Sequence, residues 1–216
     1  AFEPHAVAIL LPERAPRVLT PLEFKVHLLA QSGVDWLIIL KDNPELLDLT
    51  PEDFVSRFLV EKIRPSAVVE GTDFNFGVGR TGNVDTLTKL GAREGFDTSI
   101  VESKKIKLST GQMIRVSSTM IRYMLESGHV ADARVALGRP YRLLEEIIPG
   151  RGIGKKLGFP TLNMRKPKQV IPAEGVYAGL VRVGDTLDEL LTSETVIHAA
   201  YSLGQARTYG EEFPLL

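Results

Sequence analysis

Three hydroxyl side chains in a row, Ser117, Ser118 and Thr119, stand where a helix is predicted to begin. The free backbone N–H groups and the dipole at such a helix start favour an anion. Arg122 lies one helical turn further on, and Arg115 precedes the first hydroxyl by two residues. Together these hydroxyl, N–H and guanidinium donors suit a triphosphate. Serine and threonine also cap many helices that bind nothing, so the spacing alone leaves both interpretations open.

A second candidate site is the segment GTDFNFG, residues 71–77, which directly follows a short apolar stretch. Loops at the carboxyl ends of parallel strands are where α/β sheets bind ligands. Asp73 offers a hydrogen-bond acceptor, while Phe74 and Phe76 offer flat apolar surface. The alternative is a turn whose two aromatic rings belong to the core.

The next residues, GVGRTG at 77–82, match the glycine pattern of dinucleotide-binding and protein-kinase loops. Six residues separate Glu70 from Gly77, whereas a dinucleotide fingerprint turns directly from a strand into a helix. A protein kinase also needs His-Arg-Asp and Asp-Phe-Gly triplets, and neither occurs in the sequence. We interpret this segment as a flexible loop in which Arg80 is a candidate phosphate contact.

A glycine-rich segment, GRGIGKKLGFPTLN at residues 150–163, is the sharpest feature of the second half of the chain. It is not a Walker A loop, because Pro149 stands where the first glycine belongs and Lys156 replaces the Ser or Thr. Its glycines and cations still suit a loop whose backbone closes over phosphates. The alternative is a glycine-rich hairpin with a polar end. The candidate contacts are Gly150, Gly152, Gly154, Lys155 and Gly158.

Thr161 and Asn163 follow this segment and are two positions apart. On an extended backbone they face the same way. Neutral oxygens from both can hold Mg²⁺ alongside nucleotide phosphates. We therefore predict that the two side chains face one cavity beside the glycine segment.

Cysteine and histidine limit the remaining chemistry. The chain has no cysteine, which excludes disulfides, thiolate catalysis and zinc-thiolate sites. Of its four histidines only His5 is a candidate, because it follows Pro4 after a short apolar start. A lone histidine is more often structural.

The charge balance bears on the partners. Lys and Arg number 26 and Asp and Glu 27, giving a net charge of -1. This balance provides no electrostatic case for nucleic acid or an anionic membrane, whereas small phosphorylated ligands need only a local patch. No apolar run approaches the roughly 18 residues of a membrane span. We expect a soluble, cytoplasmic protein, and the oligomeric state is not predicted.

The elements that must position these residues alternate through the first two-thirds of the chain. Short apolar strands separated by helices imply a parallel sheet with crossover helices. The run VDWLIIL at 34–40 is predicted to be a strand buried on both faces. The other predicted strands are residues 66–70 and 97–102, and the predicted helices are residues 20–32, 83–94, 117–127 and 130–137, with one more starting at Thr50.

The pattern changes after Gly138, where no long helical period follows. Strands predicted at 141–148, 175–183 and 196–203 lie between glycine- and proline-rich loops. This part is typical of a small, mostly β domain. We place the domains at residues 1–138 and 139–216.

In this order, the segments resemble the prokaryotic bifunctional riboflavin kinase/FAD synthetase family. The combination of SSTMIR, LGRPY and GFPTLN is highly specific. The resemblance implies a Rossmann-like nucleotidyltransferase domain, which joins FMN to AMP from ATP to give FAD and pyrophosphate. It implies a second domain, a six-stranded Greek-key β-barrel that phosphorylates riboflavin with ATP. The matching stretches are FEPHAVAIL, LTPLEFKVHLLAQSGVDWLIIL, VVEGTDFNFGVGRTGN, VSSTMIR, LGRPY, GKKLGFPTLNM, GVYAG and SLGQARTYG.

The resemblance also implies roles for particular residues. The family's Ser-Ser-Thr-x-x-Arg turn handles ATP phosphates and falls here on Ser117, Ser118, Thr119 and Arg122. Its segments that line the adenylyltransferase site fall on His5, Asp73 and Phe74. Its Pro-Thr-x-Asn segment, which binds metal and nucleotide, falls on Thr161 and Asn163. We therefore expect His5 and Arg122 to be catalytic, with Mg²⁺ as cofactor and ATP and riboflavin or FMN as substrates.

Departures from the family pattern lead to a further expectation. The family's His-x-Gly-His motif belongs upstream of Ala1, and its kinase glutamate belongs after Leu216. The chain is therefore expected to be truncated at both ends and nearly inactive by itself. The alternatives are a non-catalytic flavin- or nucleotide-binding module and a different adenylyltransferase, such as one that makes NAD.

Overall fold

The computed structural model describes residues 1–4, 6–10, 12–41, 44–150, 158, 161–205 and 214–215. The chain divides into two compact units. The first comprises Ala1–Pro16, Leu22–Lys107 and Gly111–Ser117, and the second comprises Arg17–Pro21, Leu108–Thr110 and Ser118–Leu216.

The first unit is an α/β structure built around a parallel strand pair. Strands β1 and β4 pair in parallel, and β2–β3 and β5–β6 are antiparallel hairpins. The strands are β1 (Ala67–Gly71), β2 (Asn75–Phe76), β3 (Gly82–Asn83), β4 (Asp97–Val101), β5 (Lys105–Lys107) and β6 (Met113–Arg115). The helices are α1 (Ala6–Leu10), α2 (Leu22–Gln31), α3 (Pro44–Leu47), α4 (Pro51–Asp53), which continues as a π-helix over Phe54–Ile63, and α5 (Val84–Glu94), with 3-10 turns at Pro12–Arg14 and Val78–Arg80.

Side-chain caps explain where two of these helices begin. The Thr50 hydroxyl accepts a hydrogen bond from the Asp53 N–H at 3.1 Å, and the Asn83 side chain accepts one from the Thr86 N–H at 2.9 Å. Each cap satisfies a backbone N–H that has no partner within its helix. Gly95 ends α5 with φ 88°, a conformation that suits glycine. The helices predicted from Thr50 and over residues 83–94 are confirmed.

The core of this unit lies between the helices and β1. Phe76 stacks on Phe74 with ring centroids 5.4 Å apart and contacts Phe54 at the same separation. Val68 of β1 packs against the cluster from the sheet side. The buried members are Val55, Phe76, Leu87, Leu90 and Phe96.

The prediction of a strand at residues 34–40 is wrong. Residues 34–39 have no regular secondary structure, and Leu40 forms only an isolated bridge with Phe2. Trp36 is 88% exposed and Ile39, on what would be the opposite face of a strand, is 36% exposed, so neither face is buried. An apolar run becomes a buried strand only when neighbouring strands pair with it and helices pack over it. Among the described residues, only the short segment at the start of the chain pairs with this run.

The second unit is mostly β with helices at its start. Strands β9, β10 and β11 form an antiparallel sheet with β10 in the middle, and β7 pairs antiparallel with β8. A mostly β second part is thereby confirmed, whereas its closure into a six-stranded barrel stays a prediction. The elements are α6 (Ser118–Glu126), α7 (Val130–Leu137), β7 (Ile147–Ile148), β8 (Asn163–Met164), β9 (Gly175–Val181), α8 (Leu187–Thr192), β10 (Ile197–Gln205) and β11 (Pro214–Leu215).

A single buried glutamine explains why residues 141–148 are only partly a strand. Gln169 is 2% exposed, and its side-chain oxygen accepts a hydrogen bond from the Leu144 N–H at 2.9 Å. Its amide nitrogen donates to the Arg142 carbonyl at 2.8 Å and to the Leu19 carbonyl at 3.2 Å. These side-chain bonds take the place of a strand ladder. Only Ile147–Ile148 of the predicted strand is therefore found in β7.

The boundary proposed at residue 139 stays a prediction. The structure groups α6 and α7 with the second unit, while the sequence pattern assigned them to the first domain. Within the described part of the chain, no helix has the length and apolar character needed to cross a membrane.

Candidate functional site

The loop after β1 carries the acidic candidate of the first unit. The Phe74 N–H donates to the Gly71 carbonyl at 3.0 Å, and the Asn75 side chain donates to the Asp73 carbonyl at 2.8 Å. Arg115 reaches the same loop, and its Nη2 donates to Asp73 Oδ2 at 2.9 Å. The structure thus brings together two predicted site residues that are 42 positions apart.

The aromatic residues of this loop do not have equal surroundings. Phe76 is buried at 6% exposure, and Phe74 is half-buried against it. For Phe76, the alternative interpretation of a core aromatic is confirmed. Only the partly open Phe74 ring is left as a candidate ligand surface.

The glycines of the GVGRTG segment have packing roles. Gly77 has φ 73°, and a Cβ added there would lie 2.8 Å from Pro51. A Cβ on Gly82 would lie 2.9 Å from the Phe76 ring. The segment forms a 3-10 turn between β2 and β3, and Arg80 lies in that turn with φ 60°. Close packing and turn geometry therefore account for a glycine pattern that resembles a phosphate-binding fingerprint.

The hydroxyl run stands at a helix start, as predicted. Helix α6 begins at Ser118, directly after Ser117, and includes Thr119 and Arg122. The compact units divide the run, because Ser117 belongs to the first unit and Ser118 to the second.

Arg122 is anchored within the second unit. Its Nε donates to the Arg17 carbonyl at 2.8 Å. Desolvation by burial is the main influence on the side chain and lowers the pKa of its guanidinium, while Glu126 and Tyr141 act in the opposite direction. The bond to Arg17 uses one of five guanidinium N–H donors, so the side chain is held in place without using up its capacity for an anion.

Tyr141 of the LGRPY motif has an unusually weak acidity. Its hydroxyl donates to the Val170 carbonyl at 2.7 Å. Burial raises the pKa of Tyr141 to about 12, although the Gln169 hydrogen bond and the charges of Arg122 and Arg139 oppose this shift. The phenol is therefore a neutral hydrogen-bond donor at physiological pH.

The described part of the glycine segment places Gly150 beside a metal-site candidate. Asn163 lies in β8 opposite Ile148, and a Cβ added to Gly150 would overlap the Asn163 side chain. Thr161 is exposed and Asn163 is half-buried. Gly158 has φ 82°, which favours glycine for a backbone reason. Four of the predicted site residues lie outside the described residues: His5, Gly152, Gly154 and Lys155.

The donor set around Asn163 is compatible with a magnesium–nucleotide complex. Thr161 and Asn163 offer neutral oxygens, and magnesium bound by few protein groups takes its other ligands from phosphates and water. No group of three His, Cys, Asp or Glu side chains within the described ranges could hold a metal. A site on these residues therefore depends on the phosphates for its negative charge.

One half-buried carboxylate was missed by sequence reasoning. Glu70 lies in β1 beside Gly71, and burial raises the pKa of its carboxyl. The signal that could have found it is a charged residue at the end of an otherwise apolar strand next to a ligand loop.

The fold and the charged loop define a class: an α/β nucleotidyltransferase-type unit joined to a β-rich unit. The chain belongs to the FAD synthetase family, whose sequence profile matches residues 1–120. A second profile, described as riboflavin kinase, matches residues 137–214. The two profiles occur in the order that the sequence motifs predicted.

Curated relatives are named for two activities. The "Bifunctional riboflavin kinase/FMN adenylyltransferase" of Escherichia coli (strain K12) is 35% identical over 177 residues, which cover 82% of this chain and 55% of that protein. The protein of that title from Haemophilus influenzae is 34% identical over 182 residues, covering 84% and 58%. The chain therefore spans about half the length of the curated relatives it matches. These comparisons give no support to a non-catalytic module or to a different adenylyltransferase.

A solved structure shares the fold. The "Crystal Structure of Macrolide-efflux Protein from Streptococcus pneumoniae" matches with a TM-score of 0.73 and 23% identity, over 91% of this chain and 59% of that one. At this identity the likeness concerns the fold alone.

Proposed function

We propose that the protein to which this chain belongs makes flavin nucleotides in two ATP-dependent steps. The second part phosphorylates riboflavin to FMN, and the first part adenylylates FMN to FAD. The observation that carries this proposal is the occurrence of an FAD synthetase profile and a riboflavin kinase profile in one chain. Mixed α/β and β-rich units in the same order support it.

In the adenylylation step, a phosphate oxygen of FMN attacks the α-phosphorus of ATP. The bond from that phosphorus to its bridging oxygen breaks, and pyrophosphate leaves. Negative charge builds up on the phosphoryl oxygens, and cationic donors held in place stabilise it. We assign Arg115 and Arg122 to this role. We assign Ser117, Ser118 and Thr119 as neutral donors to the phosphates, Asp73 and Phe74 of the loop after β1 as residues that line the site, and His5 as a further catalytic candidate.

In the kinase step, the terminal hydroxyl of riboflavin attacks the γ-phosphorus of ATP and ADP leaves. The glycine segment at 150–158 contacts the phosphates through Gly150, Gly152, Gly154, Lys155 and Gly158. Thr161 and Asn163 would hold Mg²⁺, which would neutralise charge on the phosphate oxygens. Because these two side chains carry no charge, metal binding is expected to be weak without ADP or ATP and much tighter with it.

The partners that we propose are small molecules only, and the location that we propose is the cytoplasm. An enzyme that consumes ATP in both steps needs an ATP-containing compartment. A nearly balanced charge supports the absence of a nucleic-acid partner.

Two variants of the full-length protein test the assignment of the steps to two sites. Arg122→Ala is expected to lower FAD formation from supplied FMN and leave riboflavin phosphorylation unchanged. Asn163→Ala is expected to do the reverse, because the proposal assigns the two residues to different active sites. Both rates are read by chromatography of the flavin products.

Matched controls separate these effects from general damage. Arg134→Ala removes an exposed arginine from α7, and Leu162→Ala shortens the exposed neighbour of Asn163. Both controls should keep both activities. If Arg122→Ala and Asn163→Ala each lower both rates to the same extent, the two-site assignment is wrong.

A further inference from the structure

The ion pair between Arg115 and Asp73 has no evident role in stability. The two side chains are 49% and 60% exposed, and their nitrogen and oxygen lie 2.9 Å apart. Exposed ion pairs contribute little to stability, since water and salt screen them. The pair nevertheless joins two separate elements, the loop after β1 and the end of β6.

Asp73 lies in a hydrogen-bonded turn. The Phe74 N–H donates to the Gly71 carbonyl and so closes a turn that contains Asp73, and the Asn75 side chain donates to the Asp73 carbonyl. The Phe74 ring is fixed by stacking on Phe76. A carboxylate on so constrained a loop can hold a flexible arginine side chain in one orientation.

A second cation lies beside Arg115. Arg115 lies directly opposite Lys105 in the β5–β6 hairpin, and directly opposed residues project from the same face. Like charges in this relation disfavour each other. One carboxylate, Asp73, balances only one of the two cations, so an anion at this position would relieve the repulsion.

The position is also where a ligand is expected in such a sheet. β1 and β4 run parallel, and their carboxyl ends, at Gly71 and Val101, pair directly. The Asp73 loop follows the first of these ends. Open α/β sheets bind ligands outside the carboxyl ends of their strands.

We propose that Asp73 is a positioning residue that orients the Arg115 guanidinium toward a phosphate of the bound nucleotide or FMN. The proposal rests on the proposed FAD-forming function. Asp73 does not contact the anion itself, because a carboxylate beside a phosphate would repel it. One N–H of Arg115 is used on Asp73, and the planar guanidinium has four more. No covalent bond to either residue forms or breaks during adenylyl transfer.

This arrangement makes a distinctive kinetic prediction. Asp73→Asn removes a negative charge near an anionic substrate, so KM for ATP should stay the same or fall. The turnover number should fall by roughly 10- to 100-fold, because a misplaced donor stabilises the transition state poorly. Asp73→Glu should recover part of that loss. Arg115→Lys keeps the charge but loses the planar fork, and it should lower turnover similarly.

A double-mutant cycle in the full-length protein tests the proposal, with FAD formation from FMN and ATP as the assay. If Asp73 acts only through Arg115, then Asp73→Asn should have no further effect in an Arg115→Ala background. Arg57→Ala is the matched control, since Arg57 pairs with Asp53 at 3.0 Å on an exposed helix face of the same unit. This control should leave both kcat and KM unchanged.

Three outcomes would overturn the proposal. The first is a double variant whose loss of rate is the product of the Asp73→Asn and Arg115→Ala losses. The second is a rise in KM for ATP in Asp73→Asn without a loss of kcat. The third is full activity in Asp73→Asn and Arg115→Lys alike, which would leave the proposed function intact. A wild-type protein that makes no FAD from FMN and ATP would instead refute the function on which the proposal rests. Thermal unfolding of each variant confirms that a loss of rate is not a loss of fold.

Discussion

Replacing Gln169 with leucine should be among the most destabilising single changes in the second unit. The substitution keeps the approximate size of the side chain but makes it apolar, which leaves three backbone groups without their partner: the Leu144 N–H and the carbonyls of Arg142 and Leu19. A buried polar group left unsatisfied costs about 1–3 kcal/mol. The bond to Leu19 is the longest, at 3.2 Å, and should count least. We expect a total loss of about 3–5 kcal/mol.

A loss of this size is large against a typical unfolding free energy of about 5–15 kcal/mol. In urea denaturation, with a slope of about 2 kcal/mol per M, it corresponds to a midpoint lower by roughly 1.5–2.5 M. Gln31→Leu is the matched control, because Gln31 lies exposed at the end of α2. The control should shift the free energy of unfolding by less than about 0.5 kcal/mol.

A second substitution at this position tests which atoms matter. Gln169→Glu keeps an acceptor for the Leu144 N–H but turns a carboxylate oxygen toward two carbonyl oxygens. Protonation of that carboxylate would supply one donor. Because burial and the facing carbonyls disfavour the charged form, this variant should regain part of its stability as the pH falls toward the ordinary glutamate pKa of about 4.3, with no further recovery below it. If Gln169→Leu unfolds within 0.5 kcal/mol of the wild type, the hydrogen-bond reasoning is refuted.

Three further predictions follow from the surroundings of single side chains. Burial raises the pKa of Glu70, so the folded state favours the neutral carboxyl more than the unfolded chain does. Glu70→Gln should therefore stabilise the protein by about 0.5 kcal/mol at pH 7. Urea denaturation at several pH values should show that this gain is lost below pH 4.5. The Tyr141 pKa of about 12 predicts constant stability up to pH 10 and a loss between pH 10 and 12. That loss is at most about 2.7 kcal/mol and smaller after solvent screening. Tyr141→Phe should reduce it and leave the contribution of Tyr201, whose pKa is also raised by burial. A flat wild-type profile over this range would contradict the assignment. Gly150→Ala should displace the Asn163 side chain and slow riboflavin phosphorylation by about tenfold. Gly175→Ala is its control, because the added Cβ would meet nothing nearer than 3.6 Å. Equal rates in the two variants would show that the Gly150 contact is unimportant.

Local signals in the sequence were sufficient where a short stretch decides its own structure. The Asn83 side chain caps α5 through a residue three positions away. Gly138 ends α7 in a left-handed conformation with φ 68°. Such elements follow from neighbouring residues, and each was predicted within one or two residues of its position.

Elements that depend on distant partners were not predictable in this way. The run at 34–40 has the composition of a buried strand, yet Trp36 is exposed. Composition does not show whether other elements will pack against the run. Residues 141–146 lack a strand because a side chain 25 positions away from Leu144 occupies its N–H. Helix α8, Leu187–Thr192, was missed because six residues are too few to show a helical period.

The candidate site shows the same division. Motif spacing found Asp73 and Arg115 separately, and the family resemblance gave a role to Asp73. Neither source predicts that the two side chains bind each other across 42 positions. That contact is a property of the fold, since a loop and a hairpin meet only after the chain has folded.

A time course of the products shows whether one protein makes both flavin nucleotides. Full-length protein is incubated with riboflavin, ATP and Mg²⁺, and the flavins are separated by chromatography. FMN is expected to accumulate first and FAD to follow, with pyrophosphate released in step with FAD. Formation of neither FMN nor FAD would contradict this expectation.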